Sequence, residues 1–307
     1  MKQILYIGIL IGTVGLSGCS DDTDARIAPA HLVRLTTEIT PNTRAAINRF
    51  NGETVAFARA VAPGNYTETW QAVATPTETR LQGTYLYPED RSYLYLRGYY
   101  PVQPLSGGGV SYALDGQTDL MATVEQKGNL IDNFSLSSKT FYFNHLLTQL
   151  SLEVRISREE TNTLRLVSVE ATGSRPEARV LLSDAPATDL PQVLFTGEPQ
   201  QLTAYVEPVR GGGILLSREA VLLPHTLLVE PGVPLGLNVK VGLPDGTTRS
   251  WSGLPVRFDE QDGLSRSGTA YRLTVTLFSS GVPGTDVSIG ASVVPWIASG
   301  GGNGTVQ

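Results

Sequence analysis

Apolar residues recur at every second position along much of this chain, and that alternation constrains its fold most strongly. Leu150, Leu152, Val154 and Ile156 share one side of an extended segment, with Ser151, Glu153 and Arg155 on the other. Leu235, Leu237, Val239 and Val241 repeat the pattern, as do Tyr271, Leu273, Val275 and Leu277, and then Val287, Ile289, Ala291 and Val293. A side-chain period of two belongs to a strand with one face in a core and one in water. Sheets built from such strands are apolar on one side and must cover that side with a second sheet. The expected fold class is therefore all-β, with strands stacked as sandwiches. Gly 32 and Pro 19 in 307 residues supply the turns such a fold needs.

The N-terminal half carries similar runs. In His31–Ile39, Val33, Leu35 and Ile39 lie on one face, with Thr37 among them. Val55 and Phe57 mark another strand. In Arg91–Tyr100, Tyr93, Tyr95 and Tyr99 oppose Leu94, Leu96 and Tyr100. Turn residues separate the runs at Pro41-Asn42, Pro63-Gly64-Asn65, Pro88-Glu89-Asp90, Asp115-Gly116 and Pro244-Asp245-Gly246. Phe143–Leu150 fits one turn of helix by its spacing or a strand entering Leu150–Ile156, and the strand is favoured. The polar stretch Ser157–Asn162 suggests a boundary between an N-terminal domain, 31–157, and a C-terminal domain, 158–307. No fixed-period repeat is visible, which argues against a solenoid or propeller.

The chain begins as an exported lipoprotein would. Lys2 precedes the apolar stretch Ile4–Leu16, and Leu16-Ser17-Gly18-Cys19 ends in the only cysteine. The apolar stretch is shorter than the roughly 20 residues that span a bilayer, and its charged start and small residues make a secretory signal, 1–18. Cys19 is the expected lipidation site, so the mature chain hangs from a membrane by acyl chains. Residues 19–30 follow as a polar tether containing Ser20-Asp21-Asp22-Thr23-Asp24. With Cys19 acylated, no thiol remains for a disulfide, a zinc site or a nucleophile.

Catalytic and ligand-binding patterns are sparse. A formal charge of −6 argues against a nucleic-acid partner. His31, His145 and His225 have no metal-ligand spacing, and there is neither a Gly-x-Ser-x-Gly elbow nor a phosphate loop. Asp115-Gly116-Gln117-Thr118-Asp119 lacks the oxygen pattern of a calcium loop and reads as a turn. The acidic loop Asp259–Gly263 reads as a solvated turn. Trp70, Trp251 and Trp296 are core or edge aromatics, with a sugar platform as the alternative. No cofactor and no enzymatic activity are expected.

Several motifs, in order, resemble the fimbrillin-like family, the pilins and accessory pilins of Bacteroidetes type V pili. They are Leu16–Cys19; a first strand followed by Thr43-Arg44-Ala45; Tyr99-Tyr100-Pro101; Leu114–Met121; Phe143-Asn144-His145-Leu146-Leu147; and the closing Val293-Val294-Pro295-Trp296. The acidic cluster after Cys19 also resembles the surface-export signal of Bacteroidetes lipoproteins. The resemblance implies two tandem transthyretin-like β-sandwich domains, and a lipidated precursor displayed on the outer membrane at the cell surface. It also implies cleavage by an arginine-specific surface protease, here at Arg44–Ala45, after which residues 31–39 would leave as a plug strand. The apolar groups of that strand are Val33, Leu35 and Ile39. The vacated groove would accept a strand from another pilin subunit by β-augmentation. Arg26, Arg34 and Arg49 rank below Arg44 as cut sites. Adhesion implies ligands on host or bacterial surfaces. The glycine-rich segment after Trp296 departs from the family's donor strand, which leaves stalk, anchor and tip roles open. The alternative function is a non-polymerising surface lipoprotein that binds glycans through Trp70, Trp251 or the Tyr93–Tyr100 cluster.

Overall fold

The computed structural model describes residues 31–40, 50–158, 160, 163–209, 212–278 and 287–296. Strands dominate it, and the one helical element among the named elements is the short 3-10 turn Ser137–Lys139. The alternating runs are strands: Thr148–Ile156, Leu235–Gly242, Ala270–Leu277 and Val287–Val294. Phe143–Leu150 is not helical. It is the end of the strand Phe141–His145, the two linking residues Leu146 and Leu147, and the start of Thr148–Ile156.

The N-terminal half is built on one eight-stranded sheet. Its path runs from Thr37–Ile39 through Phe141–His145, Met121–Ala122, Leu94–Tyr100, Glu53–Ala60 and Glu68–Ala74 to Thr79–Leu81, with Gln126–Gly128 beside Leu94–Tyr100. One core against it holds the aromatics Phe50, Phe57, Trp70, Tyr87, Phe134, Phe141 and Phe143, with Val33 and Leu35 added from the N-terminal segment. Gly98 lets this core close. A Cβ there would lie 2.7 Å from the Phe143 ring and 2.9 Å from the Thr123 methyl, so the ring rests on the strand backbone only because glycine leaves room.

Two sheets face each other in the C-terminal half. One orders Val221–Leu222, Thr148–Ile156, Ala270–Leu277 and Val287–Val294; the other orders Gln200–Val206, Arg165–Ser174, Leu235–Gly242 and Thr248–Val256. Leu152, Val154, Leu273 and Val275 of the first meet Leu166, Val169, Leu237 and Val239 of the second in one core. The expected division after residue 157 falls instead at the end of a strand that already belongs to this half. Thr148–Ile156 pairs in parallel with Ala270–Leu277 over eight registered residues, Gln149↔Ala270 to Ile156↔Leu277. The strand before Ser157–Asn162, Thr148–Ile156, and the strand after it, Arg165–Ser174, belong to the two facing sheets of one half, and by sheet membership the halves divide between His145 and Thr148. A polar loop looks alike in sequence whether it joins two domains or two layers.

A third core lies where the halves meet. Gly109–Ala113 pairs antiparallel with Glu177–Leu181, which pairs with Gln192–Thr196. Ala56, Tyr99, Tyr112, Leu120 and Leu147 are buried there together with Val180, Phe195, Leu228, Ala270 and Trp296.

Candidate functional site

Residues 31–39 lie across a seam. On one side Thr37–Ile39 runs parallel to Phe141–His145, in the register Thr37↔Phe141, Glu38↔Tyr142 and Ile39↔Phe143. Phe141 N donates to Thr36 O at 2.9 Å, and Thr40 N donates to Phe143 O at 2.8 Å. On the other side isolated antiparallel bridges join Leu35 to Thr79 and Leu32 to Leu86. There Val33 N donates to Tyr85 O at 2.9 Å, and Tyr87 N donates to His31 O at 3.0 Å. The segment thus ties the Phe141–His145 edge of the sheet to the Thr79–Leu81 edge at its opposite end, closing the sheet around its core. Without it, both edges would present unpaired N–H and C=O groups.

Its side chains follow the expected alternation. Val33, Leu35 and Thr37 are 6%, 5% and 8% exposed, Arg34, Thr36 and Glu38 face solvent, and Ile39 is half-buried. Full burial of Val33 and of Leu35 contributes about 1.5–3 kcal/mol each. The third inward position is polar: the Thr37 and Thr79 hydroxyl oxygens lie 2.7 Å apart, and Thr37 N donates to Thr79 Oγ1 at 3.1 Å. Beside the segment an open cleft of about 610 Å³ is lined by Arg34, Thr37, Glu38, Thr75, Glu78 and Thr79 among others. Cys19, Arg44 and Ala45, with the competing Arg26 and Arg49, lie outside the described residues.

Two polar clusters escaped the sequence reading. Arg97, wholly buried, points its guanidinium from Leu94–Tyr100 into the segment after Glu177–Leu181. It donates to Pro186 O at 2.8 Å, Asp189 O at 3.1 Å, Ala185 O at 3.3 Å and the Tyr66 hydroxyl at 3.2 Å. Tyr66 in turn donates to Glu125 Oε2 at 2.6 Å, and Glu125 N donates to Ala187 O at 3.0 Å. Burial, then the Glu125 hydrogen bond, push the Tyr66 phenol well above its ordinary value. In the second cluster buried His145 Nδ1 lies 2.8 Å from Asp119 Oδ2, and the Trp296 ring stacks on His145 at 3.9 Å. Trp70, Trp251 and Trp296 are 4%, 8% and 3% exposed, so none presents a face to a sugar. Asp115 Oδ1 accepts from Gln117 N and Thr118 N at 2.8 Å each, which makes that stretch a turn. Among the described residues no group of three or more His, Cys, Asp or Glu could hold a metal, and no helix is long and apolar enough to cross a membrane.

No family model matches the chain, and no curated protein matches it. Solved structures do. A fimbrial protein from Bacteroides vulgatus superposes with a TM-score of 0.58 at 14% identity, covering 87% of this chain and 100% of that one. A candidate cell adhesion protein from Bacteroides uniformis gives 0.55 at 17% identity, covering 88% and 100%. A second candidate cell adhesion protein, from Bacteroides ovatus, gives 0.50 at 13%, covering 87% and 97%. At these identities the likeness establishes a shared fold, and the solved proteins that share it are of the fimbrial and adhesion type to which the motifs pointed.

Proposed function

We propose that this chain is a structural or accessory subunit of a surface fimbria that contributes to adhesion, assembled by exchange of its N-terminal strand. The observation that carries the reading is the seam: residues 31–39 bury three inward side chains while bridging the opposite edges of the N-terminal sheet. A segment that comes first among the described residues and fills a two-edged groove is removable in a way that a central strand is not. The fold shared with a solved fimbrial protein supports the same role. In this reading Cys19 carries lipid that holds the precursor at the outer membrane. An arginine-specific protease cuts Arg44–Ala45, residues 31–39 depart, and a strand of another pilin subunit fills the groove. We take the two halves as tandem sandwiches of transthyretin-like topology that transmit load along a fibre.

Substitution at the two processing positions tests this. Cys19→Ala abolishes lipid labelling and membrane retention. Arg44→Ala leaves a full-length, lipidated monomer that forms no ladder when surface extracts are electrophoresed without boiling. A ladder from Arg44→Ala cells equal to that of the parent contradicts cleavage at this bond.

A further inference from the structure

The seam defines the chemistry of its occupant, and the inference below rests on the strand-exchange reading. Hydrogen bonding differs between the two flanks: parallel toward Phe141–His145 and antiparallel toward Thr79 and Leu86. Parallel and antiparallel ladders place their donors and acceptors differently, so a strand entering in the reverse sense must replace the native ladder with the other kind on each flank. Side-chain selection comes from the inward positions. Val33 and Leu35 enter the aromatic core, whereas Thr37 meets the Thr79 hydroxyl at 2.7 Å. Thr79 Oγ1 already accepts from the Thr37 backbone N–H, a contact any residue but proline would make. The hydroxyl–hydroxyl contact is made only by threonine or serine.

We propose that Thr79 is a specificity-determining residue of the seam. The occupant is an extended segment of a different protein chain. It runs parallel to Phe141–His145 and carries aliphatic, aliphatic, Thr or Ser, then aliphatic side chains at alternate positions. A second copy of this chain that has itself been cut, and so has lost residues 31–39, fits less well through its edge strand. Its edge strand Val287–Val294 offers Val287, Ile289, Ala291 and Val293. Three of these match Val33, Leu35 and Ile39 in kind, but Ala291 brings a methyl group where Thr37 brings a hydroxyl. The seam thereby favours extension by another subunit over self-polymerisation.

The test uses full-length protein nicked by an arginine-specific protease, which is then inhibited, followed by labelled peptides of residues 31–40. The native peptide and its Thr37→Ser version are retained on gel filtration. The Thr37→Val peptide binds about fivefold more weakly, the size of one hydrogen bond, and the reversed-order peptide is not retained. In Thr79→Val protein the native and Thr37→Val peptides bind equally. Equal binding to unmodified protein, or discrimination that survives Thr79→Val, overturns the proposal. Retention of no peptide by folded, nicked protein defeats strand exchange itself. The hydroxyl contact is then read in the uncut chain from the Thr37→Val, Thr79→Val double-mutant cycle, where non-additivity of about fivefold in the folding constant upholds the hydroxyl selection. Additivity there overturns it.

Discussion

Arg97 shows what a single residue contributes to this fold. A guanidinium with no exposed surface is normally paired with a carboxylate; here three main-chain carbonyls and a phenol take its donors. Replacing it with leucine strands those acceptors, and we expect a loss of about 3 kcal/mol in urea unfolding. Its role was not legible in the sequence, because an arginine in an apolar run reads as an outward residue and its carbonyl acceptors lie some ninety positions away. Tyrosines make a second residue-scale prediction. Burial raises the phenols of Tyr66, Tyr87, Tyr99, Tyr100, Tyr112 and Tyr271 above the ordinary value of 10.0, and that of Tyr87 is pushed up to about 12. Above pH 10 the unfolded chain sheds these protons while the folded chain keeps them. The unfolded state then binds fewer protons, and stability falls as pH rises. The stabilisation is complete below pH 10 and declines steadily from 10 toward 12, as denaturant midpoints taken across that range will show.

At the scale of an element, the N-terminal segment was the most legible part of the chain. Its alternation gave the buried face directly, and Val33 and Leu35 lie where the pattern put them. Ile39 is less buried than the pattern implied. The pattern could not show that the strand has two neighbours of opposite sense, because pairing partners are long-range. Nor could it show the partner of Thr37, since a threonine in a strand is equally at home facing water. Leu35→Ala should cost about 2–5 kcal/mol, the range for truncating a buried leucine. Leu194→Ala, on the exposed side of the edge strand Gln192–Thr196, should change stability by less than about 0.5 kcal/mol. Urea midpoints for the two variants check both.

Across the whole molecule, the all-β architecture followed from the period of two, but the way the halves join did not. Gly109–Ala113 pairs with Glu177–Leu181, and the core around Tyr112, Val180 and Trp296 is shared by both halves. Two modules on a string would unfold separately; these should melt in one transition, with calorimetric and van't Hoff enthalpies in agreement. A chain joined in this way passes tension through its core, which the proposed role as a fibre subunit requires. Under the proposed strand exchange, the seam at residues 31–39 is where one subunit takes hold of the next. Mass spectrometry of the protein recovered from purified fimbriae tests that claim most directly. Strand exchange predicts subunits that begin at Ala45 and yield no peptide from residues 31–39. Assembled subunits that retain residues 31–39 would contradict it.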